Sequence, residues 1–127
     1  MGQATIKEAN TTSWNQLVSK TEKPLMVMFY SQTCPFCKQM ETIFEQYAAK
    51  YQKKVSFVRV DIGKNPDIAS IYGVMGTPTF AFFCNGHPLQ SASGALYPTI
   101  LEKMIEEGLS HGKDCEKKTT WNDPMYA

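Results

Sequence analysis

An almost unbroken apolar run, Leu25-Met26-Val27-Met28-Phe29-Tyr30, followed after three residues by Cys34-Pro35-Phe36-Cys37, constrains this chain more than any other feature. A run of that length and hydrophobicity predicts a strand covered on both faces. From Pro35 onward, Met40, Ile43, Phe44, Tyr47, Ala48 and Tyr51 recur at helical spacing, so the two thiols stand where a long amphipathic helix begins. Unsatisfied backbone N–H groups and the helix dipole favour negative charge at that place, which lets the first sulfur ionise near neutral pH. Two cysteines two residues apart in such a setting predict a redox pair, since only the thiolate attacks a disulfide.

With 127 residues the chain can build one core, not two. Its formal net charge of +1 and 20% charged residues exclude the basic excess of a nucleic-acid binder. The start, Met1 to Ile6, shows no basic segment leading into an apolar stretch, and no run approaches the length of a membrane span. A cytoplasmic location is the expectation, with no membrane partner. Four cysteines are too few for a disulfide scaffold in a chain of this size, which suits a reducing compartment.

The remaining elements follow from local pattern. Ala4 to Glu8 alternates weakly and predicts a short edge strand, and one of Thr11, Thr12 and Ser13 is expected to cap a helix whose apolar face is Trp14, Leu17 and Val18. Val55 to Asp61 alternates as a second strand, parallel to the first if the helix between them is a right-handed crossover. Asn65-Pro66 sets a capping side chain before a first-turn proline, and Gly73 closes that short helix. Thr79 to Cys84, the turn Asn85-Gly86 and Leu89 to Ser93 predict an antiparallel hairpin. Tyr97, Ile100, Leu101, Met104 and Ile105 form the expected apolar face of a last helix. Residues 1–109 are expected to form the domain and residues 110–127, polar and without periodicity, a loosely ordered tail.

The Cys-x-x-Cys pair, Asn65-Pro66, Tyr72-Gly73-Val74, Gly76-Thr77-Pro78-Thr79, Asn85-Gly86 and Gly94-Ala95, in this order, resemble the thioredoxin family from about Ala4 to Leu109. The resemblance implies an α/β thioredoxin fold: three layers, α/β/α, with a central mixed sheet of four to five strands flanked by four helices. It implies a thiol-disulfide oxidoreductase in which Cys34 is the nucleophile and Cys37 the resolving thiol. Cys34 should face solvent at the helix start, while Cys37, under the first turn, should be more buried. Pro78 is expected to be cis. Thr77 should present its backbone to an extended substrate, and Tyr30, Phe36, Val74 and Met75 should form an apolar rim around the thiols. Pro35 suits the first helical position, having no N–H to lose, and Lys38 adds positive charge nearby. The implied partners are protein disulfide substrates and an external reductant resembling thioredoxin reductase, with no bound cofactor, no metal and a monomeric chain.

Two departures stand out. Thioredoxins usually carry Trp-Cys-Gly-Pro-Cys, whereas Thr33 precedes this pair and Pro-Phe fills it, which resembles the glutaredoxin motif and draws the redox potential toward that family. Met28 occupies the strand position where thioredoxins usually bury an aspartate that moves a proton to or from the resolving thiol; Asp61 and Glu41 are the possible substitutes, acting through water.

Other readings remain open from sequence. A glutaredoxin-like enzyme would draw on glutathione, although 33 residues precede Cys34 and Gly86 and Gly94 stand apart. Cys84-Asn85-Gly86-His87 has the spacing of a zinc half-site, but it straddles the predicted hairpin turn, away from the cysteine pair. A redox-inactive interaction domain on the same scaffold would not need both cysteines. Cys84 and Cys115 are expected to be thiols without a role, with a bridge between them as the alternative, and His87 and His111 to be surface loop residues.

Overall fold

A computed structural model of the chain describes residues 6–20 and 23–110. In chain order the elements are β1 (Ile6–Ala9), α1 (Thr11–Lys20), β2 (Leu25–Tyr30), α2 (Pro35–Tyr51), β3 (Ser56–Asp61), α3 (Pro66–Ile71), β4 (Thr79–Cys84), β5 (His87–Ser93) and α4 (Pro98–Ser110). The five strands form one sheet in the order β1-β3-β2-β4-β5, with the apolar run of β2 in the middle. β3 runs parallel to both β1 and β2, while β4 is antiparallel to β2 and to β5. This is the mixed sheet with four flanking helices that the sequence predicts.

β2 is apolar throughout because both of its faces are covered. Met26 and Met28 pack with Phe44 of α2, Phe57, Phe80 and Phe82 of the sheet, and Leu101 and Ile105 of α4. Val27 and Phe29 pack on the opposite face with Trp14, Val18, Ile68 and Phe83. The sheet is thus the middle layer, with α2 and α4 on one side and α1 and α3 on the other. Burying each large apolar side chain contributes about 1.5–3 kcal/mol.

Edge-to-face ring contacts tie the layers together: Phe44 to Phe57 at 5.2 Å between centroids on one side, and Trp14 to Phe83 at 5.4 Å on the other. Such pairs add about 0.5–1.5 kcal/mol beyond the area they bury. The α1/α3 side is also stapled by polar groups. Trp14 Nε1 donates to the Tyr72 hydroxyl at 3.0 Å, and the Asn65 amide oxygen accepts from the Thr11 N–H at 3.0 Å.

Several local expectations change in three dimensions. The cap of α1 is Asn10, whose Oδ1 accepts from the Ser13 N–H at 2.9 Å, so the stabilising oxygen comes from just before the Thr-Thr-Ser group. Asn65 makes no side-chain cap to α3; its amide is drawn off to Thr11, 54 positions away, and to the Asp61 carbonyl, partners that outcompete the cap. On α4, Leu101, Met104 and Ile105 are buried as expected, but Tyr97 is 79% exposed and Ile100 44% exposed. Tyr97 precedes the first helical residue, Pro98, and so lies off the buried stripe.

The hairpin turns through Asn85 at φ 56° and Gly86 at φ 82°, the left-handed pair that an Asn-Gly turn supplies at low cost. Cys84, 4% exposed at the end of β4, is not the free thiol expected of a strand end. Ser110, the first residue of the expected tail, closes α4; Cys115, His111 and the other residues of 111–127 lie outside the described residues. No helix among the described residues is long and apolar enough to cross a membrane.

Candidate active site

The chain leaves the middle of the sheet at Tyr30 and turns through Ser31 to Thr33, with the Cys34 N–H donating to the Ser31 carbonyl at 3.4 Å. Cys34 is the N-cap of α2, at φ −91° and ψ 110°, and its sulfur accepts from the Cys37 N–H at 3.1 Å. That is the place where a cap must satisfy an orphan backbone donor, and here the capping atom is the reactive one. Pro35 takes the first helical position, where its missing N–H costs nothing. Cys37 follows one turn behind, and the two cysteines are joined by a disulfide with their Cα atoms 5.3 Å apart, inside the range that a bridge spans.

Burial separates the two sulfurs less than the sequence implies. Cys34 is 7% exposed and Cys37 4%. Cys34 is bonded to its partner and capped by a backbone N–H, so the oxidised pair folds inward rather than presenting a solvent-facing sulfur. Phe36, between them, is 52% exposed. Lys38 is exposed on the next helical position.

The segment Gly76 to Thr79 carries a cis peptide bond between Thr77 and Pro78. Pro78 is buried and Thr77 half-buried. The Thr79 hydroxyl donates to the Gly76 carbonyl at 2.7 Å, and the Gly94 N–H donates to the Pro78 carbonyl at 2.8 Å. These bonds fix the segment from both ends.

Two cavities flank this end of the sheet, and they differ in chemistry. A cleft of about 160 Å³ is lined by Met28, Tyr30, Cys37, Lys38, Glu41 and Arg59. On the other side of the sheet a larger, mainly apolar cavity of about 460 Å³ is lined by Phe29, Tyr72, Val74, Met75, Phe83 and Pro88. Of the rim residues expected from sequence, Tyr30 therefore shares a cleft with Cys37. Val74 and Met75 line the other cavity, whose walls include neither Cys34 nor Cys37, and Met75 is 95% exposed.

The cleft holds a charged network that sequence reasoning did not assemble. In the sheet register Glu8, Arg59, Met28 and Phe80 stand in one row across β1, β3, β2 and β4. Arg59 thus has an apolar neighbour on one side, and its guanidinium pairs with Glu8 at 2.5 Å and with Glu41 of α2. The Tyr30 hydroxyl donates to Glu8 at 2.7 Å, and the guanidinium lies 5.3 Å from the Tyr30 ring centroid. Burial pushes the Tyr30 phenol up, and its hydrogen bond to Glu8 adds to the rise. Desolvation works against the Arg59 charge, but the bond and charge of Glu8, together with Glu41, outweigh it.

Asp61, 2% exposed at the end of β3, accepts from Gln32 Nε2 at 2.9 Å and from the backbone N–H groups of Gly63 and Lys64. Burial alone would raise its carboxyl, yet these three bonds hold it below the usual carboxylate range. Asp61 is therefore a structural tie between the site loop and β3; the carboxylate in the Cys37 cleft is that of Glu41. Cys84 and His87 face each other as register partners beside the hairpin turn, and no group of three or more metal-ligating side chains occurs among the described residues.

Comparison with known proteins bears on the whole of this geometry. Residues 5–107 match the family model described as Thioredoxin. Thioredoxin Y, chloroplastic, from Oryza sativa subsp. japonica is 35% identical over 107 residues, covering 84% of this chain and 64% of its own length. Thioredoxin 1 from Nostoc is 28% identical over 102 residues, 80% of this chain and 95% of its own length. The crystal structure of the Malassezia sympodialis thioredoxin superposes with a TM-score of 0.77 at 26% identity, over 84% of this chain and 93% of that one. The chain spans about six tenths of the length of the plant relatives it matches.

Proposed function

Because the chain belongs to the thioredoxin family, we propose that it is a thiol-disulfide oxidoreductase that reduces protein disulfides through Cys34 and Cys37. The observation that carries this reading is Cys34 at the N-cap of α2 with its sulfur on the Cys37 N–H, bridged to Cys37 one turn later. The helix N-terminus stabilises a thiolate at Cys34 once the pair is reduced. That thiolate attacks one sulfur of a target disulfide, forming a mixed disulfide and releasing the other target thiolate. Cys37 then attacks Cys34, the Cys34–Cys37 bond forms, and the second target thiol leaves. Two electrons have passed to the target. The dithiol carries them itself, so the reaction requires no bound cofactor, only an external reductant to reopen the bridge.

Thr77, half-buried beside the fixed Pro78 carbonyl, is proposed to offer backbone hydrogen bonds to an extended target segment, a mode that demands little of its sequence. Phe36, exposed between the cysteines in the chain, is proposed to offer an apolar contact to the target. A reducing compartment such as the cytoplasm, a monomeric chain and a donor of the thioredoxin-reductase type complete the proposal.

Reduction of insulin driven by dithiothreitol tests the activity. Cys34→Ser is expected to abolish turnover, and Cys37→Ser to accumulate mixed disulfides with targets; turnover surviving the first substitution rejects Cys34 as the nucleophile. Replacing dithiothreitol with a thioredoxin reductase or with glutathione then identifies the donor. Faster cycling with glutathione would favour a glutaredoxin-like enzyme, the reading that Cys-Pro-Phe-Cys itself suggests.

A further inference from the structure

Closing the disulfide consumes a thiolate at Cys37, and reopening it leaves one there, on a sulfur that is 4% exposed. An isolated thiolate at Cys37 is costly in such surroundings, so a proton must leave Cys37 as it attacks and return when the bridge is reduced. β2 places Met28 and Tyr30 in the cleft wall; Met28 has no proton to exchange, and the Tyr30 hydroxyl is engaged with Glu8.

Glu41 is placed to do it. It lies four residues after Cys37 on α2, on the same helical face, and both side chains line the same cleft of about 160 Å³. A few tens of Å³ per molecule is the room a water needs, so the cleft admits a short water chain between them. Arg59 holds the Glu41 carboxylate from β3 and is itself held by Glu8 from β1.

We propose that Glu41 is the proton relay of Cys37, exchanging the proton through water in their shared cleft, with Arg59 as the positioning residue. This deepens the dithiol reading and rests on it. In the mixed-disulfide step the Cys37 proton passes through water to the Glu41 carboxylate as the Cys37 sulfur bonds to Cys34. The Cys34–target bond breaks, the target thiolate takes a proton from solvent, and Glu41 returns its proton to solvent. Reduction by the donor runs the same path in reverse. The charged and titratable groups around Glu41 are Arg59 from β3, Tyr30 from β2, Glu8 from β1 across the shared guanidinium, and Lys38 and Glu45 one turn away on α2. Asp61 at the end of β3 is engaged by three donors and does not line the cleft, which leaves Glu41 as the carboxylate that shares it with Cys37.

Stopped-flow oxidation of the reduced chain by 5,5′-dithiobis(2-nitrobenzoate) separates the two sulfurs. Attack by Cys34 releases the first coloured thiolate in proportion to reagent concentration, and attack by Cys37 releases the second at a rate independent of it. Glu41→Gln is expected to slow the second step about tenfold at pH 7 and to leave the first within twofold. The deficit should narrow as the pH rises, because hydroxide then takes the Cys37 proton without the carboxylate. Glu41→Asp should fall between the two. Glu107→Gln, which neutralises an exposed carboxylate of α4 bonded to Gln90 and away from the cleft, should keep the second step within twofold. A second step unchanged in Glu41→Gln, a deficit equal at every pH, or the same slowing in Glu107→Gln overturns the proposal. Loss of the first step from the unsubstituted chain would instead overturn the dithiol reading beneath it.

Discussion

The two sides of the sheet are built from similar aromatic cores but serve different ends. On the α1/α3 side, Trp14, Phe29, Tyr72 and Phe83 cluster under polar staples, and the adjoining cavity touches neither redox sulfur. On the α2/α4 side, Phe44, Phe57, Phe80 and Phe82 pack as far as Met28, and the polar ties there join helix to helix, from the Tyr51 hydroxyl to Glu102 and from the Tyr47 hydroxyl to the Pro98 carbonyl. There the core gives way to Cys37, Glu41 and Arg59. The difference teaches where this chain keeps its charge. Position 28 stays apolar within β2, and the carboxylate stands on the helix that carries the cysteines, at the rim of the core and within reach of water.

Substitutions on either side can break that division. The largest effect on stability is expected at Gly108, where a Cβ would stand 2.4 Å from the ring of the fully buried Phe82. Alanine in a helix normally gains roughly 1 kcal/mol over glycine. Here the close approach of α4 to β4 reverses the sign, and Gly108→Ala should destabilise by about 1–3 kcal/mol. Urea unfolding measures it as a lower midpoint with an unchanged slope; a raised midpoint would mean that α4 can move off the sheet.

A smaller loss is expected on the other side. Asn65→Ala removes the amide that joins α1, β3 and α3, leaving the Thr11 N–H without its acceptor, while the Asp61 carbonyl keeps only the backbone N–H of position 65. The cost should be roughly 1–2 kcal/mol, with insulin reduction unchanged at temperatures where the variant is folded. A fall in turnover matching that of a cleft substitution would show that the α1/α3 side is not a passive support.

Local signals made most of the architecture legible from sequence. The apolar run of β2, the helical period from Met40 to Tyr51, and Asn85-Gly86 each specify their element without distant help, and the cysteine pair marks where the sheet meets α2. Contacts across the fold were not legible. Asn65 reads as a helix cap until folding brings Thr11, 54 positions away, to its side chain. Arg59 reads as an ordinary polar residue of an alternating strand, and only the register that sets it beside both Glu8 and Met28 turns it toward Glu41. Tyr97 and Ile100 fit a helical stripe by spacing, but the helix begins at Pro98 and its phase leaves both facing water.

The central claim is that the start of α2 acidifies one sulfur. Alkylation of the reduced chain by iodoacetamide as a function of pH, in the Cys37→Ser background so that Cys34 alone reports from the site, tests it most directly. The account predicts a rate that reaches half its plateau at least one pH unit below the value of about 8.5 for a simple thiol. A midpoint at or above that value would mean that the helix terminus does not stabilise the Cys34 thiolate, and the proposed mechanism would lose its nucleophile.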